Sequence, residues 1–245
     1  MSFRGKRYWL VGATEGLGEA LAHLMHAEGA VLVLSGRNRQ KLAALERGLP
    51  GIAVQEVDVA STASVQAAAQ AIGPVDGMVF LAGVYWPMSS AAADATLLEA
   101  MCDVNFTGCA RVLGAVLPGM VARGTGHLVI TGSLAGFRGL PGALGYGASK
   151  AGVMALAESL YADLRGTGVK VQLANPGFIR TRLTDKNDFS MPFLMEPDQA
   201  ARAMLSHMRT SRFKTSFPTV FSWLFRLSQF LPDWAYYPLF AKKAP

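Results

Sequence analysis

Tyr146 stands four residues before Lys150, at the start of an apolar run (Ala151, Val153, Met154, Leu156, Ala157, Leu160) with the pattern of a helix. Residues four apart share a helix face, so the phenol and the ammonium lie on the same side. A cation held near a phenol favours the phenolate and lowers its pKa. The pair is therefore a candidate general acid/base near neutral pH. Tyr-x-x-x-Lys also arises by chance, as a packed ring and a solvated amine, so its meaning depends on what surrounds it.

A second loop has the composition to hold an anion. Gly12, Ala13, Thr14, Glu15, Gly16, Leu17 and Gly18 follow a short apolar run and open a helical pattern. Glycines between a first strand and a first helix permit a tight turn and close backbone approach, and the helix N-terminus favours a pyrophosphate. The spacing is Gly-x-x-x-Gly-x-Gly rather than G-x-G-x-x-G.

These groups need a scaffold, and the chain alternates strand and helix patterns throughout. Residues 8–11 read as a strand, 19–28 as an amphipathic helix, and 30–34 as a buried parallel strand. Residues 41–49 read as a helix, 52–57 as a strand, and 64–71 as a helix capped by Ser61. A fourth strand at 77–81 ends in Ala82 and Gly83. The helical region 95–121 is expected to break near Gly108, Gly114 and Pro118. A strand at 127–131, a helix from near Tyr146 to about 164, and strands at 169–174 and near 214–217 complete the pattern. The rhythm predicts an α/β fold: a Rossmann-like, doubly wound parallel β-sheet with helices on both faces. Ligands on such sheets bind at the carboxyl ends of the strands, near the switch in strand order. One domain is expected over 1–245, with 185–245 as its substrate loop and an atypical apolar, basic C-terminal segment.

Composition narrows the function classes. Of 245 residues, 51% are hydrophobic and 16% charged, which suits a well-buried globular protein. No stretch of eighteen apolar residues is free of charge, and the N-terminus lacks an apolar signal core, so a cytoplasmic protein is expected. Cys102 and Cys109 are too few for a disulfide framework. The four histidines form no HExxH pattern, and no metal site is expected. Residues 1–200 carry 16 basic and 16 acidic side chains, whereas 201–245 carry seven basic ones against Asp233 alone. That distribution gives no protein-wide footprint for nucleic acid.

The motifs together resemble the short-chain dehydrogenase/reductase family of the classical type, over roughly residues 5–185. The resemblance rests on six elements in order: the glycine loop, Asp58-Val59, Asn105, Ser133 thirteen residues before Tyr146, Tyr146 with Lys150, and the segment from Asn175 to Thr181. It implies that Asn105, Ser133, Tyr146 and Lys150 are catalytic. Tyr146 would exchange a proton with a ketone or alcohol oxygen, while Lys150 would bind the nicotinamide ribose and depress the Tyr146 pKa. Ser133 would hydrogen-bond the substrate oxygen, and Asn105 would fix a helix irregularity and a proton route to solvent. It also implies an NAD(P) site formed by Gly12, Thr14, Glu15, Gly16, Leu17, Gly18, Asp58, Val59, Ala82, Gly83, Pro176, Gly177, Ile179 and Thr181, with Tyr146 and Lys150 at its inner end.

Cofactor choice is read from Ser35-Gly36-Arg37-Asn38. An acidic residue there would bind a ribose 2′-hydroxyl and mark NAD. Gly36 stands in its place and Arg37 follows, with Asn38 beside it; a guanidinium suits a 2′-phosphate. NADP is therefore expected over NAD, although Glu15 would repel the phosphate if it pointed inward.

The chain departs from the family twice. Phe80-Leu81-Ala82-Gly83 replaces Asn-Asn-Ala-Gly, so packing by Leu81 must stand in for the hydrogen bonds of an asparagine. The end of the chain is also unusual, with ten of the 23 aromatic residues after position 200. This tail has three readings: a wall and lid over the substrate, a contact in a homo-oligomer (dimer or tetramer), or a peripheral contact with a membrane surface. The expected function is hydride transfer between NADP(H) and an apolar carbonyl or secondary alcohol. The alternative is a non-catalytic dinucleotide-binding sensor or scaffold.

Overall fold

The computed structural model of the chain describes residues 2–187 and 189–240. Short apolar runs form β1 (Arg7–Val11), β2 (Val31–Gly36), β3 (Ala53–Glu56), β4 (Gly77–Phe80), β5 (Gly126–Thr131), β6 (Val169–Pro176) and β7 (Lys214–Phe217). They pair in the order β3-β2-β1-β4-β5-β6-β7, all in parallel. The strand order reverses between β1 and β4, where Val11 lies beside Phe80. A crevice must open there, because the chain leaves these two strands toward opposite sides.

Side-chain alternation along the strands feeds two core layers. Tyr8 and Leu10 of β1 join Leu32, Leu34 and Val79 on one face, under α1 (Gly16–Ala27), α2 (Arg39–Gly48) and α7 (Pro197–Met208). Trp9 and Val11 join Val33, Met78, Phe80 and Ile130 on the other, under α3 (Thr62–Ile72), α5 (Gly108–Arg123) and α6 (Leu144–Asp163). Ser61 caps α3 as expected, its Oγ accepting from Ser64 N at 3.2 Å. Leu81 packs against the first layer, so packing does replace a polar brace at this position.

The central helical region differs from expectation. Helix α4 (Ala95–Cys102) passes into α5 through one π-helical turn, Asp103–Thr107. Gly114 and Pro118 lie inside α5 without breaking it. Gly108 marks a close approach instead, since a Cβ there would lie 2.8 Å from Val59 Cγ2. The whole stretch Ala95–Arg123 is long and apolar enough to cross a membrane by length and composition. Its Val104, Cys109, Val112 and Leu113 are nevertheless buried in the second core layer, which accounts for that apolarity.

Helix α7 was not anticipated, although its signals are local: Pro197 at its first position and a capping box between Glu196 and Gln199. After β7 come α8 (Thr219–Ser228) and α9 (Asp233–Phe240).

A buried polar chain ties the sheet together across three strands. Tyr8 Oη lies 2.7 Å from His127 Nδ1, and His127 Nε2 lies 2.8 Å from Gln172 Oε1. Gln172 Nε2 donates to the carbonyls of His207, Thr210 and Arg212, so its Oε1 is the acceptor for His127. His127 is thus neutral, with its proton on Nε2 and Nδ1 accepting from the phenol. Tyr8 on β1 reaches β5 only by crossing Gly77 of β4, where a Cβ would lie 2.1 Å from the ring.

Burial pushes the His127 pKa down to about 3, helped by the charge of Lys170; burial likewise takes His207 down to about 4. Both values lie below that of an unfolded histidine, so between these pH values and about 6.5 the unfolded chain binds more protons. Stability should therefore fall as pH drops from about 6.5 toward 4, by up to about 1.4 kcal/mol per pH unit for each histidine. Thermal melts across that range check this; a flat profile would contradict a neutral buried His127.

Candidate active site

The glycine loop sits at the carboxyl end of β1 with its backbone pressed against neighbours on both sides. Gly12 has φ +92°, and a Cβ on it would lie 2.4 Å from Ala82 N. Gly16 has φ +58°, and a Cβ would lie 2.7 Å from Thr181 Cγ2. A Cβ on Gly18 would strike Gly12 O at 2.2 Å. Side chains at these positions would fill the crevice or push it apart. The first turn of α1 carries no side-chain cap, so its amides remain available to an anion.

From this loop a cleft of about 820 Å³ runs along the strand ends. It is lined by Gly12, Thr14, Glu15, Gly16, Leu17, Gly18, Arg37, Asn38, Val59, Ala82, Gly83, Tyr146, Lys150, Pro176, Gly177, Ile179 and Thr181, all singled out from the sequence. Asp58 lies in an adjoining hollow of about 400 Å³ with Arg37, Arg39 and Ser64. Its carboxylate accepts from Ala60 N at 3.1 Å. Asn105 and Ser133 are buried behind the cleft wall. These residues suit a dinucleotide: a glycine cradle with helix amides in the middle, cations at one end, and a phenol with an ammonium at the other.

At the cationic end, Arg37 is exposed and its guanidinium has no ion-pair partner among the described residues. Arg39 is engaged by Glu56. A side chain at Gly36 would press on the glycine loop, since a Cβ would lie 2.6 Å from Thr14 Cγ2. Glu15 does not stand as an isolated negative charge: Lys41 Nζ lies 2.5 Å from one carboxylate oxygen and Arg182 Nη2 lies 2.8 Å from the other. Sequence reasoning missed both cations. Lys41 falls within an expected helix and Arg182 just past the segment ending at Thr181, and no local pattern pairs either with Glu15. Asn38 also caps α2, accepting from Lys41 N at 3.0 Å.

At the other end, α6 opens at Leu144 and sets Tyr146 in its first turn, half-buried, with its ring edge-on to Tyr85 at 5.0 Å. Lys150 is buried one turn on, and its Nζ donates to Thr131 O at 2.9 Å. The ammonium is 5.9 Å from the centre of the Tyr146 ring. Asn105 lies in the π-helical turn; its Oδ1 accepts from Val84 N at 2.8 Å, and its Nδ2 donates to Val84 O and Ser149 Oγ, both at 3.0 Å. Ser149 Oγ donates to Tyr146 O at 2.9 Å. A Cβ on Gly83 would lie 3.3 Å from Asn105 Oδ1 and 3.9 Å from Lys150 Nζ, so the three converge. Ser149 was another residue the sequence did not single out.

Burial raises the Tyr146 pKa above that of an ordinary phenol, with the Ser133 hydroxyl opposing the shift. Burial also lowers the Lys150 pKa to about 8, against a small upward pull from Cys109. The ammonium is turned to the Thr131 carbonyl, and the shift of the phenol is set by burial and Ser133.

Beyond Gly177 of the cleft lining lies an apolar cluster. Phe178 packs against Phe189 and Phe221, each at 5.9 Å, while Phe221 meets Phe193 at 5.4 Å and Phe225 at 5.0 Å. Phe221 and Phe225 come from α8, whose inner face joins Leu134, Phe137 and Leu140. Phe221 also abuts Gly177, where a Cβ would be 3.3 Å from its ring. Across the mouth, Lys186 Nζ donates to Tyr85 O at 2.7 Å and lies 4.4 Å from the centre of the Trp86 ring.

Comparison with known proteins agrees with this geometry. The family model for short chain dehydrogenase matches residues 6–190. An uncharacterised oxidoreductase of Myxococcus xanthus is 38% identical over 239 residues, covering 94% of this chain and 93% of that protein. One of Staphylococcus aureus is 35% identical over 80% of this chain and 87% of its own length. Among solved structures, a short chain dehydrogenase/reductase family protein is 30% identical with a TM-score of 0.82, over 88% of this chain and 95% of that one. An actinorhodin polyketide ketoreductase variant, solved with NADPH, is 25% identical with a TM-score of 0.79, over 87% and 95%. The parallel sheet, the glycine cradle at its switch point and the extent of these matches together make the chain a member of the short-chain dehydrogenase/reductase family of oxidoreductases.

Proposed function

We propose that the protein transfers hydride between NADP(H) and an apolar ketone or secondary alcohol, with Tyr146 as its general acid/base. The observation that carries this reading is the continuity of one cleft, from Arg37 past the glycine loop to Tyr146 and Lys150. A ketoreductase solved with NADPH among the similar structures supports both the cofactor and the carbonyl class.

The glycine loop and the amides of α1 hold the pyrophosphate, and Arg37 meets the 2′-phosphate. Lys41 and Arg182 offset the Glu15 charge that would otherwise face that phosphate. Bound there, the dihydronicotinamide supplies the hydride. Tyr146 donates its phenolic proton to the substrate oxygen as negative charge develops on it. Its raised pKa keeps that proton in place at neutral pH. Ser133 hydrogen-bonds the same oxygen. The Lys150 ammonium stabilises the phenolate left behind, and Asn105 fixes the loop after β4 against α6. The aromatic cluster from Phe178 to Phe225, which abuts Gly177 of the cleft, offers an apolar surface to the substrate.

Tyr146→Phe should lower turnover by roughly 10²–10⁴-fold while NADPH affinity stays nearly constant, which steady-state kinetics and fluorescence titration check. Wild-type turnover in this variant would remove Tyr146 as the acid. Arg37→Ala should weaken NADPH binding by about tenfold or more and leave NADH binding little changed; equal losses would argue against a 2′-phosphate contact. Because kcat/KM for NADPH reports the free enzyme, and Lys150 is charged only below its pKa of about 8, that ratio should fall as pH rises above about 8. A profile flat to pH 10 would show that the Lys150 charge is not needed.

A further inference from the structure

Helix α8 is apolar on two sides, and only one of them is covered. Phe221, Ser222, Phe225 and Ser228 are buried. Val220, Trp223, Leu224 and Leu227 recur at the spacing of one helix face and are 73%, 50%, 52% and 58% exposed. The exposed series continues through Phe230, Trp234, Tyr237 and Leu239. Other large exposed apolar residues of the described chain, such as Val31, Phe106 and Val121, are scattered, which is ordinary for a folded surface. We propose that the outer face of α8 and α9 docks on an anionic lipid surface.

Charge selects this occupant. Asp233 is the one acid after residue 200, and its carboxylate is taken by Arg138. Arg226 lies 5.1 Å from the centre of the Trp223 ring, at the edge of the exposed face. The face thus offers tryptophan, tyrosine and a cation with no unpaired carboxylate, the composition that settles at a lipid headgroup boundary. A twofold contact with a second copy would offer Arg226 no free acid and would set like charges together.

The face is also held rigidly. Arg138 donates to Ser228 O at 3.0 Å and to Leu231 O at 2.6 Å, and stacks on Tyr236 at 3.9 Å. Tyr236 Oη donates to Gly139 O at 2.8 Å. The segment before α6 therefore anchors α9 as well as α8.

The test is cosedimentation of the full chain with vesicles of phosphatidylcholine alone and with about one-third phosphatidylglycerol, at low and high salt. Binding at least about tenfold stronger to the anionic vesicles, weakened by salt, is expected. Leu227→Glu combined with Trp234→Glu should remove it while the melting temperature and NADPH affinity are retained. Trp223→Ser combined with Phe230→Ser, a milder pair, should weaken it in the same direction. Negligible binding by the wild-type chain, or binding unchanged in both variants, would overturn the proposal. So would a wild-type dimer that ignores vesicles and becomes monomeric in the variants, which would make the face a protein interface. Because NADPH binding and turnover are measured separately, failure here leaves the hydride-transfer reading standing, and the reverse holds too.

Discussion

The inner end of the cleft, where Tyr146 and Lys150 meet, depends on one buried amide. Asn105 binds both the N–H and the C=O of Val84, and through its Nδ2 the hydroxyl of Ser149. It thereby joins the exit of β4, the central helix and α6. A π-helical turn makes this possible, because the extra residue breaks the regular ladder and frees a side chain to bond elsewhere. Each such bond contributes only about 1 kcal/mol net, but a buried amide left without partners costs about 1–3 kcal/mol. The constraint is thus mainly geometric: it holds Gly83, Lys150 and Tyr146 in one arrangement.

Exclusion of water then acts on that arrangement with opposite signs. The same burial that holds the proton on Tyr146 makes Lys150 easier to discharge. A buried ammonium near its pKa lies close in energy to its neutral form, so modest changes in local charge shift it, whereas the phenol, its pKa raised, holds its proton firmly. The rim of the cleft works differently. Glu15, Lys41 and Arg182 are partly exposed and form a pairing that adds little stability but sets the sign of the field at the entrance.

Local signals made most of this legible in the sequence. The parallel sheet followed from short β-branched runs, and the Lys214–Phe217 strand and the Ser61 cap appear where they were expected. The glycine loop, Arg37, Tyr146 and Lys150 fall along one cleft, because their spacing relative to strand ends is itself a local property. What was not legible is pairing at long range. Nothing near Tyr8 announces His127, and nothing near either announces Gln172; the sheet order alone brings them together. The bond between Asn105 and Ser149 spans 44 residues in the same way. The helix irregularity at Asn105 was legible through the family resemblance and appears as the π-helical turn, whereas glycine and proline pointed to breaks at 114 and 118 that are not there. Helix α7 was not read, although its signals, Pro197 and the capping box, are local.

The contact between Gly36 and Thr14 carries a consequence for how this site can change over generations. Position 36 belongs to the adenosine end and Thr14 to the pyrophosphate loop, yet a first carbon at 36 already meets both Cγ2 and Oγ1 of Thr14, at 2.6 and 3.1 Å. Thr14 is β-branched and has few rotamers to retreat into. A larger side chain at 36 therefore requires Thr14 to shift. The end of β2 and the glycine loop are mechanically coupled, so a substitution at one is felt at the other.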